Sequence, residues 1–166
     1  MPSWVCTSPT VPWPTVGNDP VEIALALAIR FEGIYLSPYL DPVGVPTQGI
    51  GCTVHLDGRR VLLTDPAITK EEAINWAREL IKRLYGPNTL ALCPALDTPQ
   101  RLASICDFVF NLGASRLRSS TLRKLINAGR WENVPAELMK WTHARGRVLP
   151  GLKARRAAEA VLISQR

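Results

Sequence analysis

The chain has 166 residues, 46% of them hydrophobic and 20% charged, a size and balance that fit one soluble domain, or a single core with two lobes. Twenty Lys and Arg against 14 Asp and Glu leave a net charge of +6, so the expected partner is anionic: nucleic acid, an acidic membrane surface or an acidic cell-wall polymer. Four scattered cysteines (Cys6, Cys52, Cys93, Cys106) without a CxxC pair are read as reduced thiols, with no metal site and no cofactor expected.

Residues 1–18 carry Pro2, Pro9, Pro12 and Pro14, which disfavours helix and central strand alike. They are expected to form an extended arm lying on the domain surface, with a small wall-binding or partner-binding tag carrying Trp4 and Trp13 as the alternative. The start lacks the basic residues and apolar run of a signal peptide. The apolar run Ile23 to Ile29 is shorter than the roughly 20 residues that span a bilayer. No transmembrane segment and no unaided export are therefore expected.

Residues 19–166 read as one folded domain. Asn18-Asp19-Pro20 predicts a helix start, a capping side chain followed by proline at the first helical position. That helix runs to Phe31 or Glu32, where Gly33 ends it. Glu32 then sits in apolar company at the negative end of the helix dipole, and both conditions favour a carboxyl that holds its proton.

From Tyr39 to Leu63 the composition turns to Val, Ile, Thr and Gly, with turns at Asp41-Pro42-Val43-Gly44 and Asp57-Gly58. This predicts a small antiparallel lobe over about 39–64. Thr69-Lys70-Glu71-Glu72 is a capping box that opens a long connecting helix with Ala73, Ala77, Leu80, Ile81 and Leu84 on one stripe, stopped at Gly86-Pro87. A helical lobe over about 88–166 follows, with helices opening at Thr98-Pro99 and at Ser119 or Ser120, then over 131–141 and 151–164. The fold class is α+β, mostly helical.

Glu32, Asp41 and Thr47 place an acid, a turn carboxylate and a hydroxyl around one helix-to-sheet corner. A carboxyl that stays protonated beside one that stays ionised is what glycoside hydrolysis requires. Each residue alone has a plainer reading: a helix-end ion pair, an Asx turn, a strand-edge threonine. Cys52 and His55 form a lone CxxH, too few ligands for zinc, and His55 and His143 are read as surface or groove-edge residues.

The run Glu32-Gly33, Tyr39-x-Asp41-x-x-Gly44-Val45-x-Thr47-x-Gly49-x-Gly51-x-Thr53 resembles the signature of the phage-type lysozymes, glycoside hydrolase family 24. Two further blocks agree: Phe110-Asn111-x-Gly113 with Ser120-Thr121-Leu122, and Trp141 followed by Gly151-Leu152-x-x-Arg155-Arg156-x-x-Glu159. Gln48 departs from the usual isoleucine beside Thr47, and the Pro-rich start has no counterpart in the pattern.

The resemblance implies a lysozyme-like fold with a cleft between lobes and an endolysin that hydrolyses the β-1,4 bond between N-acetylmuramic acid and N-acetylglucosamine in peptidoglycan. It implies Glu32 as general acid, and Asp41 with Thr47 activating water. An inverting route predicts carboxyl groups about 6.5–9.5 Å apart. Phe110, Asn111 and Thr121 carry over as substrate contacts, against the alternatives of a core aromatic and helix-end caps. A monomer acting on glycan strands in the periplasm is implied, made in the host cytoplasm and released through a holin-type lesion, with no nucleic-acid partner.

The basic stretch Arg145-Gly146-Arg147 and Lys153-x-Arg155-Arg156 reads as a solvated helix face. Contact with an anionic membrane or wall, or pairing of one arginine with Glu32, is the functional alternative. The competing activities are a lytic transglycosylase, which needs the acid but no water-activating partner, a non-catalytic wall-binding protein, and a basic nucleic-acid binder.

Overall fold

The computed structural model describes residues 17–144 and 146–165. The expectations for the Pro-rich arm, Trp4, Trp13, Cys6 and Arg145 lie outside these residues. Asp19 caps the first helix, α1 (Pro20–Glu32), accepting the Val21 N–H at 2.9 Å, with Pro20 in the first turn where no N–H is required. Gly33 ends α1 at φ 76°, donating its N–H to the Ile29 carbonyl at 3.1 Å. Ile23, Ala24, Leu25, Leu27 and Ala28 bury the helix in the core.

Strands β1 (Tyr35–Leu40) and β2 (Pro46–Gly49) form an antiparallel pair in which Tyr39 faces Thr47 and Leu40 faces Pro46. The lobe therefore opens at Tyr35, earlier than the composition change near Tyr39 suggests. Pro38, which has no N–H to give, lies where the register shifts between Tyr35 and Tyr39. Gln48, the departure from the family pattern, is buried and donates to the carbonyls of Leu36 (2.9 Å) and Pro66 (2.8 Å). Its amide stitches β2 to both flanking segments, a job an isoleucine cannot do. Single bridges Gln48↔Cys52 and Val54↔Arg60 extend the lobe around the Asp57-Gly58 turn.

The capping box at Thr69 and Glu72 opens α2 (Lys70–Leu80), with Ala73, Trp76, Ala77 and Leu80 buried. The expected stop at Gly86-Pro87 does not occur. A π turn over Ile81–Tyr85 leads directly into α3 (Gly86–Leu92), with Gly86 still right-handed and Pro87 in the first turn. The wider π turn sends the Gly86 N–H to the Ile81 carbonyl, and a Cβ on Gly86 would stand 3.0 Å from that oxygen. The extra residue also rotates the stripe: Leu84 is exposed, while Tyr85 packs inward against both clusters of the core.

Thr98 caps α4 (Pro99–Leu112), which Gly113 ends. A short α5 (Ala114–Arg118) precedes α6 (Thr121–Asn127), capped by the Ser120 hydroxyl on the Arg123 N–H at 3.0 Å. The helix expected over 131–141 is shorter: a 3-10 turn (Trp131–Asn133), then α7 (Val134–Leu138), with Pro135 in its first turn. A small hairpin follows that is not expected from the sequence, β3 (His143–Ala144) paired with β4 (Arg147–Val148) across Gly146 at φ 74°, before α8 (Pro150–Ile163). Helix α4 is central, packed against α1 and against α8. Its apolar residues divide between two clusters, one shared with α1 and α2, the other with α6 and α7. The fold is α+β as expected: mostly helical, with a small antiparallel lobe joined to the helices through α2 and α3.

Candidate active site

The corner where α1 hands over to β1 carries Glu32, and the β1–β2 turn carries Asp41. Asp41 Oδ1 accepts the N–H groups of Val43 (2.9 Å) and Val45 (2.8 Å), so Oδ2 is the oxygen left for other chemistry. The Val45 carbonyl in turn accepts the Asp41 N–H and the Thr47 hydroxyl, each at 3.0 Å. One residue, Val45, thus fixes the carboxylate through its N–H and the hydroxyl through its carbonyl. With its hydrogen committed to Val45, Thr47 Oγ offers lone pairs, and Thr47 is buried.

Glu32 is a quarter exposed and is held from both sides. Its Oε1 forms a tight ion pair with Arg155 Nη1 from α8. Its Oε2 lies against Gly51, whose φ is 64° and where a Cβ would come within 3.2 Å of that oxygen. Arg155 uses its other two nitrogens on Asp107 of α4, Nε at 2.8 Å and Nη2 at 2.9 Å, a bidentate fork. Burial opposes the Arg155 charge, but Asp107 and Glu32 outweigh it and hold its pKa above the usual arginine value.

Tyr39 lies near enough to both carboxyl groups for their charges to act on its phenol. Its phenol is pushed up to about 12, first by burial and then by the charges of Glu32, Tyr35, Asp41 and Cys52. It therefore stays neutral and feels both carboxylates at once.

The solvated-face reading of the basic C-terminal stretch is corrected for its two central cations: Arg155 and Arg156 are buried, Arg155 on Glu32 and Asp107, Arg156 on Glu159 and Asn111. Arg147 and Lys153 remain exposed. Asn111 is engaged by its Oδ1, 3.2 Å from Arg156 Nη2. The half-buried Phe110 packs on Tyr85 with ring centres 5.0 Å apart. Thr121 is exposed in the first turn of α6, whose cap is Ser120 and not Thr121.

His55 is no free surface group: it bonds Asp65 at 2.9 Å and stacks on Trp76 at 4.6 Å. Cys52 instead donates to the Ile50 carbonyl, so the CxxH pair has separate partners. Asp107 escaped the sequence reading. Its signal was an acid on the buried face of an apolar helix, which requires a buried cation.

The phage lysozyme family model matches residues 29–159. The chain belongs to that family. It is 36% identical over 146 residues to an endolysin of Acyrthosiphon pisum secondary endosymbiont phage 1, covering 85% of this chain and 94% of that protein. A SAR-endolysin of Enterobacteria phage PA-2 is 33% identical over 154 residues, 87% of each chain. The solved endolysin from Escherichia coli O157:H7 phage FAHEc1 superposes with a TM-score of 0.70 at 26% identity, over 86% of this chain and 90% of that one. This phage lysozyme is a glycoside hydrolase of the endolysin type, and its substrate is the peptidoglycan of the cell wall. Among the described residues, no helix is long and apolar enough to cross a membrane.

Proposed function

We propose that this lysozyme cleaves the β-1,4 bond between N-acetylmuramic acid and N-acetylglucosamine with inversion at the anomeric carbon. Glu32, with Oε1 occupied by Arg155, gives the proton on Oε2 to the glycosidic oxygen as the bond to the anomeric carbon breaks. A water on the opposite face attacks that carbon and passes a proton to Asp41 Oδ2, while Thr47 Oγ accepts the water's second hydrogen and orients it.

The observation that supports this reading is the shared residue Val45, whose N–H holds the Asp41 carboxylate and whose carbonyl holds the Thr47 hydroxyl. A nucleophilic carboxylate needs no such hydroxyl, and a transglycosylase needs neither. Phe110, Asn111 and Thr121 line the saccharide groove in this reading. The enzyme works as a monomer on glycan strands in the periplasm and reaches them through a holin-type lesion, for host lysis.

Product analysis on purified peptidoglycan tests it. New reducing N-acetylmuramic acid ends appearing first as the α anomer by NMR are expected, with Glu32→Gln inactive. A first-formed β anomer overturns the inverting route, and 1,6-anhydro ends overturn hydrolysis altogether.

A further inference from the structure

Behind Glu32, helices α4 and α8 bury charges that the reaction described above does not use. Asp107 and Asn111, one turn apart on α4, face Arg155, Arg156 and Glu159 on α8. Ser104, one turn before Asp107, donates to the Glu159 carbonyl at 2.9 Å and locks the two helices in register. Arg156 and Glu159 are fully buried, with Arg156 Nη2 2.5 Å from Glu159 Oε1 and 3.2 Å from Asn111 Oδ1. The Arg156 guanidinium also lies over the Phe108 ring, 5.0 Å from its centre.

We propose that Asp107 and Glu159 are positioning residues for the acid Glu32: Asp107 aims Arg155 at Glu32, and Glu159 steadies Asp107 on one side and, through Arg156, Asn111 on the other. This rests on the assignment of Glu32 as the acid.

Geometry supplies the reason. The fork to Asp107 fixes the plane of the Arg155 guanidinium and leaves one nitrogen, Nη1, for Glu32. The orientation of the Glu32 carboxyl is thereby set from α4, an element that does not carry it. Glu159 Oε2 is buried and has no hydrogen-bond partner, an expensive state for a carboxylate oxygen and a cheaper one for the hydroxyl of a neutral acid. Burial and the charge of Asp107 push the Glu159 carboxyl well above its usual range, with Arg156 and Arg155 opposing. A neutral Glu159 carboxyl would have a hydrogen on Oε2 to donate towards Asp107 and would remove one negative charge from the buried cluster. The groups facing it are Asp107 and Asn111 from α4 and Arg155 and Arg156 from α8, with Glu32 of α1 beyond Arg155.

Purified Asp107→Asn, Glu159→Ala and Glu159→Gln are compared with wild type on soluble glycan fragments, with rates corrected for the folded fraction. Asp107→Asn breaks the fork and is expected to lower kcat about 10- to 100-fold, the cost of a small misplacement of a reacting group, with KM nearly unchanged. Glu159→Ala lowers kcat in the same way. Glu159→Gln, a neutral side chain that still donates to Asp107, restores most of that loss. The 15N signal of the Arg155 Nε–H exchanges slowly in wild type and in Glu159→Gln, and rapidly in Asp107→Asn and Glu159→Ala. This readout needs no activity, so it separates the proposal from the assignment of Glu32, which Glu32→Gln tests alone. Folded Asp107→Asn with wild-type kcat, or Glu159→Gln as impaired as Glu159→Ala, overturns the proposal. Should Asp107→Asn not fold, the two Glu159 variants decide.

Discussion

Replacing Gly51 by alanine probes the proposed acid, Glu32, without replacing it. The new Cβ would stand 3.0 Å from Glu32 Cγ, 3.1 Å from Cδ and 3.2 Å from Oε2, where ordinary contact begins at 3.4 Å. Glu32 cannot retreat freely, because Arg155 holds its other oxygen and Asp107 holds Arg155. The carboxyl must therefore shift by a few tenths of an ångström, and a reacting group misplaced by that much loses about tenfold in kcat. A second, separate cost is backbone strain at φ 64°, about 1–2 kcal/mol for a residue with a Cβ. Gly58→Ala isolates that cost, since Gly58 has φ 84° and nothing within 4 Å of the added Cβ. Both variants should melt a few degrees lower, at about 2–4 °C per kcal/mol for a chain of this length. Only Gly51→Ala should lose kcat on dye-labelled peptidoglycan. Equal kcat in the two variants would refute the claim that Glu32 is confined between Gly51 and Arg155.

Three further outcomes follow from other parts of the structure. Asp65 is held down to about 2 by the Leu62 N–H, then by His55 and Arg59. A depressed carboxyl stabilises the fold above its ordinary value of 3.8 and stops doing so as pH falls through about 2. Asp65→Asn should thus lower the melting temperature near neutral pH, with the gap closing towards pH 2 in a melting series. Burial raises the thiols of Cys52 and Cys106 to about 12 and of Cys93 to about 11, so a thiol reagent at pH 8 should label these three only after unfolding, as peptide mapping would show. Leu27→Ala, at a fully buried site, should cost about 2–5 kcal/mol in urea unfolding, whereas Leu36→Ala on the exposed edge of β1 should stay within about 0.5 kcal/mol.

What the sequence made legible divides along the physical range of the interactions. Caps at Asp19, Thr69 and Thr98 act over two or three residues and appear where the pattern placed them, and Ser120 is the one used of the two serines left open. The Asp41–Val45–Thr47 unit is equally local, closed by hydrogen bonds that span two to four positions. Gly86-Pro87 misled because the stop signal assumes a regular helix. In a π turn the same glycine is the residue that lets the Ile81 carbonyl come close, and the same proline serves as a first-turn residue.

The acid half is of another kind. Arg155 is 123 positions from Glu32, and Asp107 is 48 from Arg155, so no local pattern distinguishes this arginine from its exposed neighbour Lys153. Only the packing of α8 on α4 sorts them, since a buried Arg155 needs the carboxylate of Asp107 opposite it and a buried Arg156 needs the acceptor oxygens of Glu159 and Asn111. The proposed base and its hydroxyl are therefore written into seven consecutive residues, while the proposed acid is held in place by three helices. A chain can carry the whole Glu-Asp-Thr spacing and still lack a working acid if α8 does not dock.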